Sequence, residues 1–213
     1  MESPRIHPTL AGWIDTHVRA RTLAGVRLKA PEGFVYASTE AFLLAHGESF
    51  TPGPLPRRYA RVRGELGQCY GNAQRIWRAS DGQLDYCEGY SLGSVIPMLH
   101  AWCVEPDGTV VDPTWAWGTD RFEIEPDAMF GVRFPHAVVR AVLRLDPGMA
   151  FSLLDAWTIG WPLYRFPFAV ATEEEVEVLV ARIKEHGLAR MRRERANRRR
   201  NARRGRTARK GTP

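Results

Sequence analysis

Residues 67–79 read GQCYGNAQRIWRA, and the position of the one cysteine in this stretch decides how the rest of the chain is read. Small or apolar side chains recur at Cys69, Ala73, Ile76, Trp77 and Ser80. That is the stripe of a helix with one buried face. Asp81-Gly82 ends the pattern. Cys69 therefore falls in the first turn, on the inward side. The unpaired amides and the positive dipole end found there favour the thiolate, the reactive form of cysteine. The same amides, that of Cys69 among them, can receive a developing oxyanion.

Two further stretches follow in order. Residues 84–93, LDYCEGYSLG, predict a strand with Tyr86, Glu88, Tyr90 and Leu92 on one face. Residues 100–115, HAWCVEPDGTVVDPTW, predict a hairpin around Pro106-Asp107-Gly108. Its register decides whether His100 can meet Asp112. A three-residue loop with Gly108 in the left-handed conformation pairs Glu105 with Thr109 and Trp102 with Asp112, so that His100 and Asp112 become diagonal neighbours on one face. A two-residue Asp107-Gly108 turn pairs Cys103 with Asp112 and points the carboxylate away. Thiol catalysis needs an activated cysteine, a nearby imidazole and a group that fixes the imidazole tautomer. Cys69, His100 and Asp112 supply these if the longer loop forms.

Other candidates surround this trio. Gln68 and Asn72 flank the thiol and could donate to an oxyanion or bind substrate; Asn72 could equally be a local cap. Tyr70, Glu88, Tyr90, Trp102 and Trp115 are cleft or core residues. Cys87 and Cys103 read as packing residues. No paired short spacing supports a metal site, and no cofactor is expected.

The set Gly67-Gln68-Cys69, Gly89-Tyr90, His100-Ala101-Trp102 and Asp112-Pro113-Thr114-Trp115 resembles the transglutaminase-like superfamily of papain-type thiol enzymes. The resemblance implies an α+β fold in which the cysteine helix packs on an antiparallel sheet carrying the other two residues. It also implies Cys69 as nucleophile, His100 as base and acid, and Asp112 as the orienting carboxylate. The implied reaction is attack on an amide or acyl bond of a peptide, protein or small amide through an acyl-thioester. Hydrolysis and amine transfer both remain open.

Composition bounds the rest. The chain has 213 residues, 44% of them hydrophobic and seven of them tryptophan, enough for a bulky core. Three cysteines without CxxC spacing suit reduced thiols. With no signal-peptide layout and no long apolar run, a cytoplasmic protein without membrane contact is expected. Charge is segregated: from Arg182 onward there are 14 Lys/Arg against 2 Glu, and before it 16 Lys/Arg against 22 Asp/Glu. The tail arginines Arg192, Arg193, Arg195, Arg198, Arg199, Arg200, Arg203 and Arg204 are candidate contacts to RNA or DNA phosphates. The alternative function is thus a nucleic-acid-associated protein whose core is an inactive enzyme fold.

Four segments are expected. Residues 1–66 pack on the core, with helices from Leu10 and from Glu40 and a rigid Pro-rich loop at Thr51–Pro56. Residues 67–170 form the catalytic core, with a further strand at His136–Leu145 (HAVVRAVLRL) and an aromatic-rich helix or buried segment at Phe151–Tyr164. Residues 171–187 form a helix capped by Thr172 and interrupted at Gly187. Residues 188–213 form a basic tail, helical or disordered, since Arg, Asn, Ala and Gly build no core.

Overall fold

The computed structural model describes residues 6–23, 35–62, 64–93, 96–115, 126–145 and 151–154, together with isolated positions between 174 and 193. Helices α1 (Pro8–Leu23) and α2 (Thr39–His46) come first, followed by the short strand β1 (Glu48–Phe50). After an irregular Thr51–Pro56 loop come α3 (Cys69–Ala79), β2 (Asp85–Leu92), β3 (Pro97–Val104), β4 (Val110–Val111), β5 (Ala128–Phe134) and α4 (His136–Leu145). The strands form one antiparallel sheet in the order β1-β5-β2-β3-β4. The architecture is mixed α and β.

Strand alternation sorts the sheet into two buried faces. Tyr86, Tyr90 and Leu92 of β2, Ala101 and Cys103 of β3, and Phe130, Val132 and Phe134 of β5 join the larger core. Against them pack Leu10 and Ile14 of α1, Phe42 and Leu43 of α2, Ala73, Ile76 and Trp77 of α3, and Val138, Val139 and Val142 of α4. On the other face Phe50, Cys87, Trp102, Val104, Val110, Trp115 and Met129 form a second cluster. Both sides of β2 are buried, so polarity along it does not alternate; shape does.

Two glycines let the middle of the sheet close. Gly89 pairs with Gly131 across β2 and β5. A methyl on Gly89 would stand 2.1 Å from the Phe130 carbonyl oxygen, and one on Gly131 would stand 2.6 Å from Cη2 of Trp102. The Trp102 ring, fully buried, lies where the second methyl would have been.

α3 begins at Cys69, as the apolar stripe predicts, and buries Ala73, Ile76 and Trp77. Its C-terminal cap is Ser80, followed by Asp81 and Gly82 with positive φ of 49° and 83°. The region before residue 67 supplies core residues, as expected, and also an unforeseen strand: β1 pairs with β5 from Glu48↔Gly131 to Phe50↔Met129.

His136–Leu145 is a helix, not the strand expected from its valines. Val138, Val139, Ala141, Val142 and Leu143 are buried, whereas Ala137, Arg140 and Arg144 are exposed. The outward side chains recur every three or four residues, a helical repeat, and the mild cost of β-branched residues in a helix is offset by their burial. Phe151–Leu154 is not helical, and the remainder of the expected aromatic segment lies outside the described residues. Every described position from Glu174 to Arg193 is helical. Ala189, Arg192 and Arg193, beyond Gly187, are among these helical positions; alanine and arginine are strong helix formers. Arg195, Arg198, Arg199, Arg200, Arg203 and Arg204 lie outside the described residues. No helix among the described residues is long and apolar enough to cross a membrane.

Candidate active site

The hairpin adopts the longer loop. The Glu105 N–H donates to the Thr109 carbonyl at 2.9 Å, and the Gly108 N–H to the Glu105 carbonyl at 2.9 Å, with Gly108 at φ +93°. Val104 pairs with Val110 and Cys103 with Val111, so the same register sets Trp102 opposite Asp112. His100 and Asp112 therefore share a face, and His100 Nε2 lies 2.5 Å from Asp112 Oδ2. Both residues are buried.

Asp112 is itself held. Its other oxygen, Oδ1, accepts the Thr114 N–H at 2.9 Å, the local turn that an aspartate makes with the amide two residues on. The carboxylate thus has one oxygen fixed on the backbone and one on the imidazole. The His100 ring lies 6.2 Å from the Trp102 ring and nearly parallel to it, with Trp115 5.3 Å away on a tilted plane. These two indoles enclose the imidazole and its partner.

Burial works to lower the basicity of His100. The charge and hydrogen bond of Asp112, and then the side chain of Cys69, outweigh it and hold the imidazole at about 9. The Cys69 thiol, half-buried, is thus among the groups that raise the basicity of the ring. Since Nε2 is committed to Asp112, Nδ1 is the nitrogen left for it. β4 covers β3 only at Cys103 and Val104, and α3 packs on β3.

The remaining candidates divide. Gln68 is exposed beside the thiol at the head of α3, its side chain making no capping bond. Asn72 is buried, and its carboxamide is fully engaged. Nδ2 donates to the Glu65 carbonyl at 2.8 Å and to Thr114 Oγ1 at 3.1 Å, while Oδ1 accepts the Glu65 N–H at 3.2 Å and Arg75 Nη2 at 2.6 Å. With both hydrogens and both lone pairs used, Asn72 is a brace and not an oxyanion donor. Tyr70 is half-buried against the larger core.

Glu88 and Tyr90 project from the opposite side of the sheet from His100. Tyr90 donates its hydroxyl to Glu40 of α2 at 2.8 Å. Glu88 receives four hydrogen bonds: from the Tyr86 hydroxyl at 2.6 Å, Ser152 Oγ at 2.5 Å, and the N–H groups of Leu153 at 2.7 Å and Leu154 at 3.0 Å. Burial raises its carboxyl, these donors lower it, and the balance stands at about 7. Glu88 anchors the 152–154 segment to the sheet and takes no part in the site. Cys87 and Cys103 are buried packing residues, and burial pushes both thiols well above the usual range. Among the described residues no three His, Cys, Asp or Glu side chains form a metal-holding group.

Thr114 is the contributor that the motif reading passed over. Its signal was present: an aspartate followed two residues later by threonine is a common turn pattern, and the threonine hydroxyl is then free to reach another element. The chain matches no family model, no curated protein and no solved structure.

Proposed function

We propose that the chain is a thiol enzyme of the transglutaminase-like, papain-type kind that attacks an amide or related acyl carbon. The observation that carries this reading is a buried histidine with one ring nitrogen on a fixed carboxylate, its basicity raised also by the cysteine that opens α3. At neutral pH the imidazole held by Asp112 is protonated, and thiol chemistry of this kind runs through a thiolate paired with such an imidazolium. Cys69 Sγ would add to the acyl carbon, and the first-turn amides of α3, with Gln68 beside them, would face the oxyanion. His100 would pass its Nδ1 proton to the departing amine, leaving a thioester on Cys69. Water resolves that thioester to a carboxylic acid, and an incoming amine resolves it to a new amide; His100 takes the proton in either case.

Leu66, Met98 and Leu99, all exposed, precede the nucleophile and the base in the chain, and Met98 shares the His100 face of β3. A substrate amide with an apolar group next to the reacting carbon would suit Met98 on that face.

The direct test is iodoacetamide labelling of the folded protein at pH 6, mapped by mass spectrometry. Cys69 is expected to label at least about tenfold faster than the same cysteine in the urea-unfolded chain, while buried Cys87 and Cys103 stay unlabelled. A folded rate no higher than the unfolded one would remove the basis for the proposal.

A second reading rests on the charge of the C-terminal segment, and the two can hold together. The arginines beyond residue 190 would bind RNA or DNA through phosphates without sequence preference. Removing residues 188–213 should abolish salt-sensitive retention on a mixed-sequence oligonucleotide column; retention of the truncated chain would count against it.

A further inference from the structure

We infer that Thr114, clasped by Asn72, is a positioning residue that sets the Cys69 thiol against the His100–Asp112 pair. The inference rests on the thiol-enzyme reading and names the part of the fold that would hold its geometry.

The nucleophile and its partners come from different elements. Cys69 opens α3, whereas His100 lies on β3 and Asp112 just past β4. Hydrophobic packing of α3 on the sheet fixes their approach only loosely, since apolar contacts have no direction. A polar link closes the gap. Asn72, three residues after Cys69 on the same helix, donates through Nδ2 to Thr114 Oγ1 at 3.1 Å. The Thr114 N–H donates to Asp112 Oδ1 at 2.9 Å, and the far oxygen of that carboxylate meets His100 Nε2 at 2.5 Å. The side chain of Cys69 is among the groups that raise the basicity of that ring. From Asn72 to His100 each step is a directional bond, and Asn72 stands one turn of helix from Cys69.

Asn72 has no alternative orientation. Its oxygen faces the Glu65 N–H and its nitrogen the Glu65 carbonyl, so rotating the amide would set like against like at both atoms. A second link runs alongside, because the Gly64 N–H donates to the Pro113 carbonyl at 2.8 Å. Residue 64 has to be glycine for this. A methyl there would stand 2.2 Å from Asn72 Nδ2. The 64–65 loop thus backs the clamp from behind, and Asn72 (1% exposed) and Thr114 (6%) are shielded from competing water.

The test compares Thr114→Val, which keeps the shape and loses the hydroxyl, with Thr114→Ser, which keeps the hydroxyl. The readout is the iodoacetamide labelling rate of Cys69 at pH 6 divided by that at pH 9. Near pH 9 an unassisted thiol is already largely ionised, so the ratio isolates the assistance given by His100. Thr114→Val should lower the ratio about tenfold, the scale of a sub-ångström to ångström misplacement, and Thr114→Ser should stay within about twofold of wild type. A stability role alone would shift the melting temperature and leave the ratio in place. If Thr114→Val fails to melt cooperatively, Thr114→Ala replaces it, because the space it opens admits a water to the Asn72 amide. A folded Val or Ala variant with the wild-type ratio overturns the inference. Failure of the enzyme reading shows earlier and separately, as a wild-type ratio equal to that of the unfolded chain.

Discussion

Asp112→Asn lowers Cys69 labelling by iodoacetamide at pH 6 about a hundredfold, with His100→Ala at least as damaging. The structure dictates the direction through the orientation of the new amide. Oδ1 of Asp112 accepts the Thr114 N–H. An asparagine keeps its oxygen there and must therefore turn its NH2 toward His100 Nε2. The ring nitrogen then has to accept, so the neutral imidazole carries its proton on Nδ1, the nitrogen that should take one from the thiol. The charge is lost as well. Asp112 is the main influence that holds His100 at about 9 against an ordinary 6.5, and each unit of that difference is a factor of ten in the ion-pair population. Labelling at pH 9 should change far less, which separates a lost partner from a damaged thiol. An Asp112→Asn protein that labels at the wild-type rate at pH 6 would mean that the carboxylate orients nothing.

Much of this geometry is legible in the sequence because two rules of spacing carry it. The helical stripe from Cys69 through Ala73, Ile76 and Trp77 places the thiol in the first turn, and the left-handed demand at Gly108 selects the loop that brings His100 to Asp112. Both are local, and local physics survives tertiary context. Most of the misses are long-range. β1 is three residues long and exists because β5 offers it an edge, something no feature of Glu48–Phe50 announces. Helix α4 was hidden by its valines, although Arg140 and Arg144 already marked a solvent side at helical spacing. Asn72 looked like a catalytic donor because it stands one turn from the thiol; only the positions of Glu65, Arg75 and Thr114 reveal that its amide is fully spent. Glu88 shows the same limit. An acidic residue on a predicted strand next to a Gly-Tyr pair suggests a cleft, and the partners that explain it, Ser152 to Leu154, lie more than sixty positions away.

That buried carboxyl and the imidazole together set a pH dependence with two separable owners. Stability should fall as pH rises from about 4.5 to about 9 in two steps. A group whose pKa is higher in the folded chain binds its proton more tightly there, so the folded state loses relative stability as the proton leaves. Glu88 goes from an ordinary 4.5 to about 7 under burial, partly offset by its donors. Its favourable contribution is complete below 4.5 and gone above 7. His100 goes from 6.5 to about 9, with Asp112 overcoming burial, so its contribution is complete below 6.5 and gone above 9. At 1.36 kcal/mol per unit each step is worth about 3 kcal/mol. His46, lowered by burial, acts in the opposite sense below 6.5, but it is common to every variant compared and cancels in differences. Tyr86, Cys87 and Cys103 are pushed well up by burial; they begin to act only near the top of the range, where their unfolded forms start to ionise, and are likewise common to every variant. Glu88→Gln should erase the lower step. It should also cost about 1–3 kcal/mol at every pH, because whichever oxygen its NH2 replaces, it meets the N–H of either Leu153 or Leu154. His100→Ala should erase the upper step and leave the lower one. Urea midpoints from pH 4.5 to 9 on the three proteins decide it. A lower step that persists in Glu88→Gln would place that titration elsewhere, and an upper step indifferent to His100 would mean that the His100–Asp112 pair adds nothing to the fold.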